Sequence, residues 1–548
     1  MIINLIRRNK FVDASTALSR IRDESVVAIS GFNMSLTPEY LIRELYRLYR
    51  ETGHPRELFI ISDTLPGSPG RGLDFVASEM IKEGDHGFIR GVLLPFLGWS
   101  PNLQKLVSEN IIEGYTWSIG IMAYWFREVG SGRPGVVSRV GIASFLDPEN
   151  DGGALNELAK EKRTAKVDYV RLGGKQYLFY QAPKPDVALI RGTTSDEIGD
   201  ITLEGEAMTG TVLNIAQAAK ARPRRGLVIA QVMRVARYGS LNPKCVQVPG
   251  PLVDYVVVSE NPELHRQTAN IVYDPRISGE IIPPETGVRG KMGLTPRKVV
   301  ARRVLLEFIK LFKSSKSQLI VNLGIGIPSL VASVAMEEEI GDLLAVTIES
   351  GPWGGRALSG EDFGASIGPY AIIPMPDQFT VYEGGILDAA SLGFLQVDRH
   401  GNVNSSILPG RMPGPGGFPV IATGSPRVYF AGLFTAGKQD IRVTDKGLQI
   451  INDGNIVKFV DHVYKVLCSG SNLHRKEEVL FITERAVFRL TDEGLLLEEI
   501  APGVDIEKHI LSKMEFKPVI RGEPKLMDPR IFRERRMNLM REVLEAFE

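Results

Sequence analysis

A single glutamate set among glycines is the most chemically suggestive feature of this 548-residue sequence. Glu349 lies in TIESGPWGG (residues 347–355), where Gly351 and Gly354 let a large substrate approach the backbone and Trp353 offers one large aromatic surface to pack on it. Such a carboxylate can serve as a general base or as a covalent nucleophile, because carboxylates form acyl intermediates that divide a difficult transfer into two steps. The plain alternative is a solvated side chain at the start of a loop. Serine-type hydrolysis needs a histidine partner and glycoside cleavage a second acid across a cleft, and the sequence marks neither. Another glycine-dense stretch, GRMPGPGGF (residues 410–418), contains Gly414, Gly416 and Gly417; its N–H groups can cradle an oxyanion or a diphosphate.

Glu349 must be positioned by the elements before it. Residues 319–323 have the composition of a buried strand, and Gly324 and Gly326 then allow a sharp turn. Pro328 suits the first turn of a helix over 329–340; Gly341 and Asp342 stop it, and residues 343–348 form a second strand. The unit is β-α-β, with Glu349 at the carboxyl end of its second strand, the edge where open α/β sheets place ligands. A similar order of strand, glycine turn and proline-led helix occurs over residues 25–40, so the two halves read as related α/β units.

The rest of the chain fits two such units. Strands are expected at 58–62, 177–180 and 187–191, and the apolar, non-alternating runs 226–232 and 253–258 read as parallel and buried. Residues 274–298 are rich in proline and glycine without periodicity and form the expected linker. An amphipathic helix over 299–313 follows it. The expected division is therefore an N-terminal domain 1–273, a linker 274–298 and a C-terminal domain 299–548; single cores stop growing near ~250–300 residues. Later expectations are a strand at 371–374, a helix at 388–392, a tight turn around Asp398–His400, strands at 428–433 and 477–488, and a charged helix over 529–548 that docks on the protein or a second subunit.

Composition removes several function classes. Formal net charge is zero, which gives no general attraction to nucleic acid or an anionic membrane. The two cysteines, Cys245 and Cys468, are far apart, so neither a disulfide framework nor a cysteine zinc site is expected. No apolar run reaches membrane length, and the N-terminus turns from apolar to basic, the wrong order for a signal peptide; the expectation is cytoplasmic. Gly67, Gly70 and Gly72 lack nucleotide-loop spacing. The acids Asp196, Glu197, Asp200, Glu204 and Glu206 read as a solvated face rather than a metal site. Tyr124, Trp125 and Phe126 read as packing residues, and His400 as a hairpin residue.

Taken together, VNLGIGIPSLVA (321–332), TIESGPWGG (347–355), DFGASIGPYAIIPMPDQF (362–379), GNVNSSILPGRMPGPGGF (401–418) and TERAVFRLTDEGLLLEEIAPGVD (483–505) resemble the family I coenzyme A transferases. GRPGVVSRVGIASFLDPENDGGALN, RGTTSDEIGDITLEGEA and VPGPLVDYVVV extend the resemblance through the first half. It is nearest the acetate:acetoacetate and propionate type, with two homologous domains in one chain, and covers almost the whole sequence. The resemblance implies an α/β fold of tandem domains with open, largely parallel sheets flanked by helices. It also implies Glu349 as the nucleophile that attacks a donor acyl-CoA and becomes a glutamyl-CoA thioester, in a ping-pong cycle completed by an acceptor carboxylate. Gly416 and Gly417, with Gly414, match the loop that binds the oxyanion and the CoA side. Coenzyme A and acyl-CoA are substrates, no cofactor is tightly bound, no metal is used, and a homo-oligomer, dimer or tetramer, is expected.

One departure stands out. Typical members read Tyr-Asn-Leu-Pro-Gln-Gly where this chain has Tyr115-Thr116-Trp117-Ser118-Ile119-Gly120. Ile119 has no donor, so the thioester oxygen must be met by Ser118, by backbone, or not at all; a missing side-chain donor can cost roughly 3–4 kcal/mol where no substitute exists. Trp117 and Ile119 are then expected to shape an apolar or aromatic acyl pocket with Trp353. A thioester hydrolase on the same scaffold and a catalytically impaired CoA-binding protein are the competing readings.

Overall fold

Short runs of β-branched and apolar residues build two sheets, seen in a computed structural model that describes residues 2–223, 225–283 and 292–547. Val26–Ile29 (β1), Leu58–Ile61 (β2), Ile89–Leu93 (β3), Glu113–Tyr115 (β4), Val187–Arg191 (β5), Leu227–Val232 (β6) and Tyr255–Val258 (β7) form a wholly parallel sheet in the order β7-β6-β5-β1-β2-β3-β4. Both faces of such a sheet must be covered, which is why these strands carry continuous rather than alternating apolar residues. Helix α1 (Glu39–Thr52) covers one face through Leu41, Ile42, Leu45 and Tyr46. Helix α2 (Ile119–Gly130) lies on the other, burying Ile121, Met122, Trp125 and Phe126.

In the second half, helix α3 (Pro296–Ser315) is capped by Thr295, whose hydroxyl accepts from the Lys298 N–H at 3.2 Å. It leads into β8 (Leu319–Leu323), α4 (Leu330–Glu337) and β9 (Leu344–Thr347), the expected β-α-β unit. With β10 (Pro352–Trp353), β11 (Ala371–Ile372), β12 (Ala389–Leu392), β13 (Arg427–Ala431), β14 (Glu478–Ile482), β15 (Ala486–Thr491), β16 (Gly494–Ile500) and β17 (Lys525–Leu526), the sheet order is β11-β10-β9-β8-β12-β13-β14-β15-β16-β17. Its five central strands are parallel and repeat the first sheet: β14-β13-β12-β8-β9 corresponds in chain order to β7-β6-β5-β1-β2. Tandem α/β units are thus the architecture of the chain.

Three expectations need correction. Residues 389–392 are not helical: β12 is buried between β8 and β13, and the helix lies earlier, at Met375–Glu383 (α5). The small residues Ala389, Ala390 and Ser391 pass equally for helix or strand, and only sheet neighbours decide. The segment after Pro529 is not one long helix. Arg302, buried on α3, donates to the carbonyls of Ile531, Arg533 and Arg535 (3.3, 2.5 and 3.2 Å), diverting groups that a helix would use; only Leu539–Glu545 is α-helical. The acidic stretch is solvated only in part, with Glu204 exposed and Glu197 and Asp200 half-buried. Glu206 is buried and pairs with buried Arg191 and His265, while Asp196 is buried and caps its own turn. Of the expected linker, residues 284–291 lie outside the described residues, and α3 begins three residues before the expected Val299.

The halves share a core. Ile119 and Met122 of α2 pack in one apolar cluster with Phe379 and Tyr382 of α5 and Val420 of helix α6 (Phe418–Gly424). Backbone hydrogen bonds stitch the seam: Leu97 N–H to Pro413 C=O (2.7 Å), Gly416 N–H to Pro95 C=O (3.0 Å) and Met375 N–H to Gly210 C=O (3.1 Å).

Candidate active site

Glu349 occupies the tip of a tight hairpin at the carboxyl end of β9. Thr347 pairs with Trp353 of β10, and inside that pair the Ile348 N–H donates to Pro352 C=O and the Gly351 N–H to Ile348 C=O, both at 3.0 Å. Gly351 packs on the Ile373 carbonyl and Gly354 on the Tyr370 ring, in each case more closely than a side chain at the glycine would allow. Both glycines therefore serve the hairpin's own packing.

The tip leans on the glycine loop before α6. A Cβ at Gly417 would stand 2.5 Å from Glu349 Oε2 and 2.6 Å from Cδ, so the two residues meet only because position 417 carries a hydrogen. The Gly417 N–H, at the start of α6, lies near the Glu349 carboxylate and favours its ionised form. On the other side of the loop, a Cβ at Gly416 would meet no described atom within 4 Å, which leaves that face open for a ligand to approach. The loop itself is pinned to the first half of the chain. Ser118 Oγ and the Ile119 N–H both donate to Gly416 C=O at 3.0 Å, and Ser406 Oγ donates to Gly414 C=O at 2.8 Å.

This arrangement brings Glu349, Gly414, Gly416, Gly417, Ser118 and Ile119 together, as the sequence led us to expect, with two revisions. Ser118 spends its hydroxyl proton, and Ile119 its N–H, on Gly416, so neither is a donor to a reacting oxygen; they hold the loop that supplies one. Trp117 is fully buried in the core, packed edge-on against Tyr180 with ring centroids 5.3 Å apart, and lines no open space. Trp353 is partly exposed, and its indole N–H donates to Gln378 Oε1 at 2.6 Å.

Glu349 retains partial solvent access, with protein crowded around its carboxyl. Burial raises its pKa to about 7, and the Gly417 N–H only partly offsets this. A weakly solvated carboxylate that titrates near neutrality suits nucleophilic or general-base work.

A shell of residues that sequence reasoning passed over surrounds the hairpin. Asn322 of β8 donates to Thr347 C=O and to the Tyr382 hydroxyl, both at 3.2 Å, and Tyr382 donates to Thr347 Oγ1 at 3.1 Å. The signals were a lone polar residue in the apolar run LIVNL and the spacing of Gln378 and Tyr382, four apart in a segment not read as helix. Among the described residues, no group of three His, Cys, Asp or Glu side chains is placed to hold a metal ion, and no helix is long and apolar enough to cross a membrane.

A family model described as coenzyme A transferase matches residues 11–259. Over 524 residues the chain is 38% identical to acetate CoA-transferase YdiF of Escherichia coli strain K12, covering 95% of this chain and 94% of that protein. It is 36% identical over 532 residues to caffeate CoA-transferase of Acetobacterium woodii, covering 96% and 98%. Among solved structures, the thioester complex with CoA of the YdiF acyl-CoA transferase from E. coli O157:H7 matches with a TM-score of 0.86 and 36% identity, over 97% of this chain and 98% of that one.

Proposed function

Because this chain belongs to the coenzyme A transferase family, we propose that Glu349 carries an acyl-CoA:carboxylate CoA-transferase reaction as a covalent nucleophile. The observation that carries the proposal is the close contact of Glu349 with Gly417, which sets a crowded carboxylate of raised pKa beside a backbone N–H. A carboxylate oxygen of Glu349 adds to the thioester carbonyl of the donor. The C–S bond breaks, CoA leaves as thiolate, and an acyl-glutamyl anhydride remains. The thiolate then adds to the glutamyl carbonyl, the anhydride C–O bond breaks, and the acyl group departs as a carboxylate, leaving a glutamyl-CoA thioester. An acceptor carboxylate reverses both steps. No net proton, electron or metal is required.

The Gly417 N–H is placed to meet negative charge on oxygen at the glutamyl carbon, and a fixed backbone donor needs no reorganisation to do so. It takes the place that Ile119 cannot fill. The thioester complex of the E. coli relative supports a CoA thioester as a species of this fold. Trp117 and Ile119 are both buried in the shared core, so this stretch contributes no open acyl wall. The proposal includes domains 1–273 and 299–548 joined by 274–298, a homo-oligomer of two or four chains, and a cytoplasmic location, in keeping with two free cysteines.

The test is intact-mass and peptide-mapping analysis after incubation with acyl-CoA donors, with acetate and caffeate among the acceptors. The expected result is a CoA adduct on Glu349, reducible by borohydride and discharged by acceptor acid. Turnover that needs no acceptor would instead establish a hydrolase. Binding without an adduct, unchanged in E349A, would establish a non-catalytic protein.

A further inference from the structure

Two side chains one turn apart on α5 hold the two legs of the hairpin that presents Glu349. On the first leg, Tyr382 is fully buried and donates to Thr347 Oγ1, while that hydroxyl donates onward to Val321 C=O at 3.0 Å. On the second leg, the Trp353 indole donates to Gln378 Oε1. Gln378 and Tyr382 are spaced i, i+4, so they lie above one another on one helix face. Their tips lie near one another, although the Gln378 amide nitrogen has no hydrogen-bond partner among the described residues, and the Tyr382 hydroxyl lies within the field of the Glu349 carboxylate.

Backbone bonds join the two legs, from Ile348 N–H to Pro352 C=O (3.0 Å) and from Gly354 N–H to Val346 C=O (2.8 Å), and β10 pairs with β11 on its outer edge, so the side chains add to a short backbone ladder. Thr347 and Trp353 are its single ladder pair with β9, β10 is two residues long, and Pro352 brings no N–H to the ladder. Position 349 lies two residues beyond one gripped leg and four before the other. The adjacent face of α5 packs on the first half of the chain, since Phe379, in edge contact with Tyr382, abuts Gly120 of α2.

We infer that Trp353, Gln378 and Tyr382 form a side-chain clamp that positions the Glu349 carboxylate for attack. They are positioning residues: they act on substrate through the hairpin and not by contact. The inference rests on the reading of Glu349 as nucleophile. It also gives Trp353 a role different from stacking on a substrate.

Tyr382→Phe and Trp353→Phe test it, because each keeps an aromatic ring in place: the first deletes the two hydrogen bonds of the Tyr382 hydroxyl, to Thr347 and from Asn322, and the second deletes one. Adduct formation with acetyl-CoA is followed by quenched-flow mass spectrometry alongside steady-state kinetics and thermal melts. We expect each variant to lose about tenfold in the rate of adduct formation at saturating acyl-CoA, with KM within about twofold of wild type, as for a misplaced but still accessible nucleophile. Trp353→Phe combined with Gln378→Met should lose no more than the greater single loss, since both break one link. An adduct on Glu349 that forms at wild-type rate in both Phe variants overturns the clamp and leaves the nucleophile standing. A loss accounted for wholly by a smaller folded fraction assigns the residues a structural role only and also overturns it. An adduct mapped to another residue in the wild type overturns the nucleophile and the clamp together.

Discussion

Gly417→Ala is the sharpest probe of the site, because it separates packing against Glu349 from everything else the loop does. The backbone at Gly417 is right-handed helical (φ −82°, ψ −11°), so alanine fits without strain. Through the unfolded chain alone, such a change stabilises by about 0.4–1 kcal/mol. The added methyl, however, falls 2.5 Å from Glu349 Oε2, 2.6 Å from Cδ and 3.1 Å from Oε1, whereas ordinary contact begins at 3.4 Å. The carboxylate or the loop must yield by about 1 Å, a displacement that costs on the order of a hundredfold in rate. Two decades correspond to about 2.7 kcal/mol of transition-state stabilisation. The expectation is a protein with an unchanged melting temperature and kcat/KM reduced about a hundredfold. Gly416→Ala is the control: φ is +58° and no described atom stands in the way, so it should cost about 1–2 kcal/mol of stability and much less activity. Adduct formation by intact mass and calorimetry on both variants decide the matter. A Gly417→Ala enzyme that forms the adduct within about threefold of the wild-type rate would refute the argument that glutamate and loop are in functional contact.

Four further outcomes follow from charge and packing. Only ionised Glu349 is nucleophilic, so kcat/KM for adduct formation should rise with pH through about 7 and level off above it. The same raised pKa opposes stability: the buried carboxyl costs nothing while protonated below its ordinary 4.5, and the penalty grows as pH rises through about 7. Glu349→Gln should therefore be more stable than wild type at pH 8, by at most about 3 kcal/mol in urea unfolding, with the difference vanishing near pH 4. At Glu206, burial raises the pKa but Arg191 and His265 outweigh it and hold it at about 2, so its contribution is present above the ordinary 4.5 and lost as pH falls through about 2. Glu206→Gln should cost about 3–5 kcal/mol at pH 7, and its deficit should shrink on acidification below pH 4.5. Ser118→Ala removes one of the two donors on Gly416 C=O and should lower stability by about 1 kcal/mol and slow adduct formation several-fold, read by calorimetry and mass spectrometry.

How far the sequence reached depended on the kind of constraint. The β-α-β unit around Leu319–Thr347 was legible because apolar runs and a glycine turn report local conformation; Gly416 and Gly417 were marked as an oxyanion loop through the family resemblance, but not their approach to Glu349. What stayed hidden is tertiary. Ser118 reads equally as donor to a substrate or to a loop, and only the position of Gly416 C=O, 298 residues away, settles that its proton is already used. Trp117 reads as a pocket wall until Tyr180 is found against it. Segment 375–392 was misread because its helix opens Met375-Pro376 and its strand is made mostly of small residues, so period carried little information.

The repeat also explains why one carboxylate, and not two, looks reactive. Asp63 lies two residues beyond β2 as Glu349 lies two beyond β9, and β2 and β9 hold the same place in their sheets. Burial raises Asp63 as well, to about 6. Its carboxylate, however, is fully enclosed and accepts from the hydroxyls of Thr211 and Ser62, so its lone pairs are engaged by side chains of its own half. Glu349 has one methylene more, partial access to solvent, and a glycine loop as its neighbour, whose Gly416 presents an open face. A raised pKa is thus common to both halves and cannot by itself mark the nucleophile. The difference lies in what stands opposite: two hydroxyls that satisfy Asp63, against one backbone N–H and open space beside Glu349.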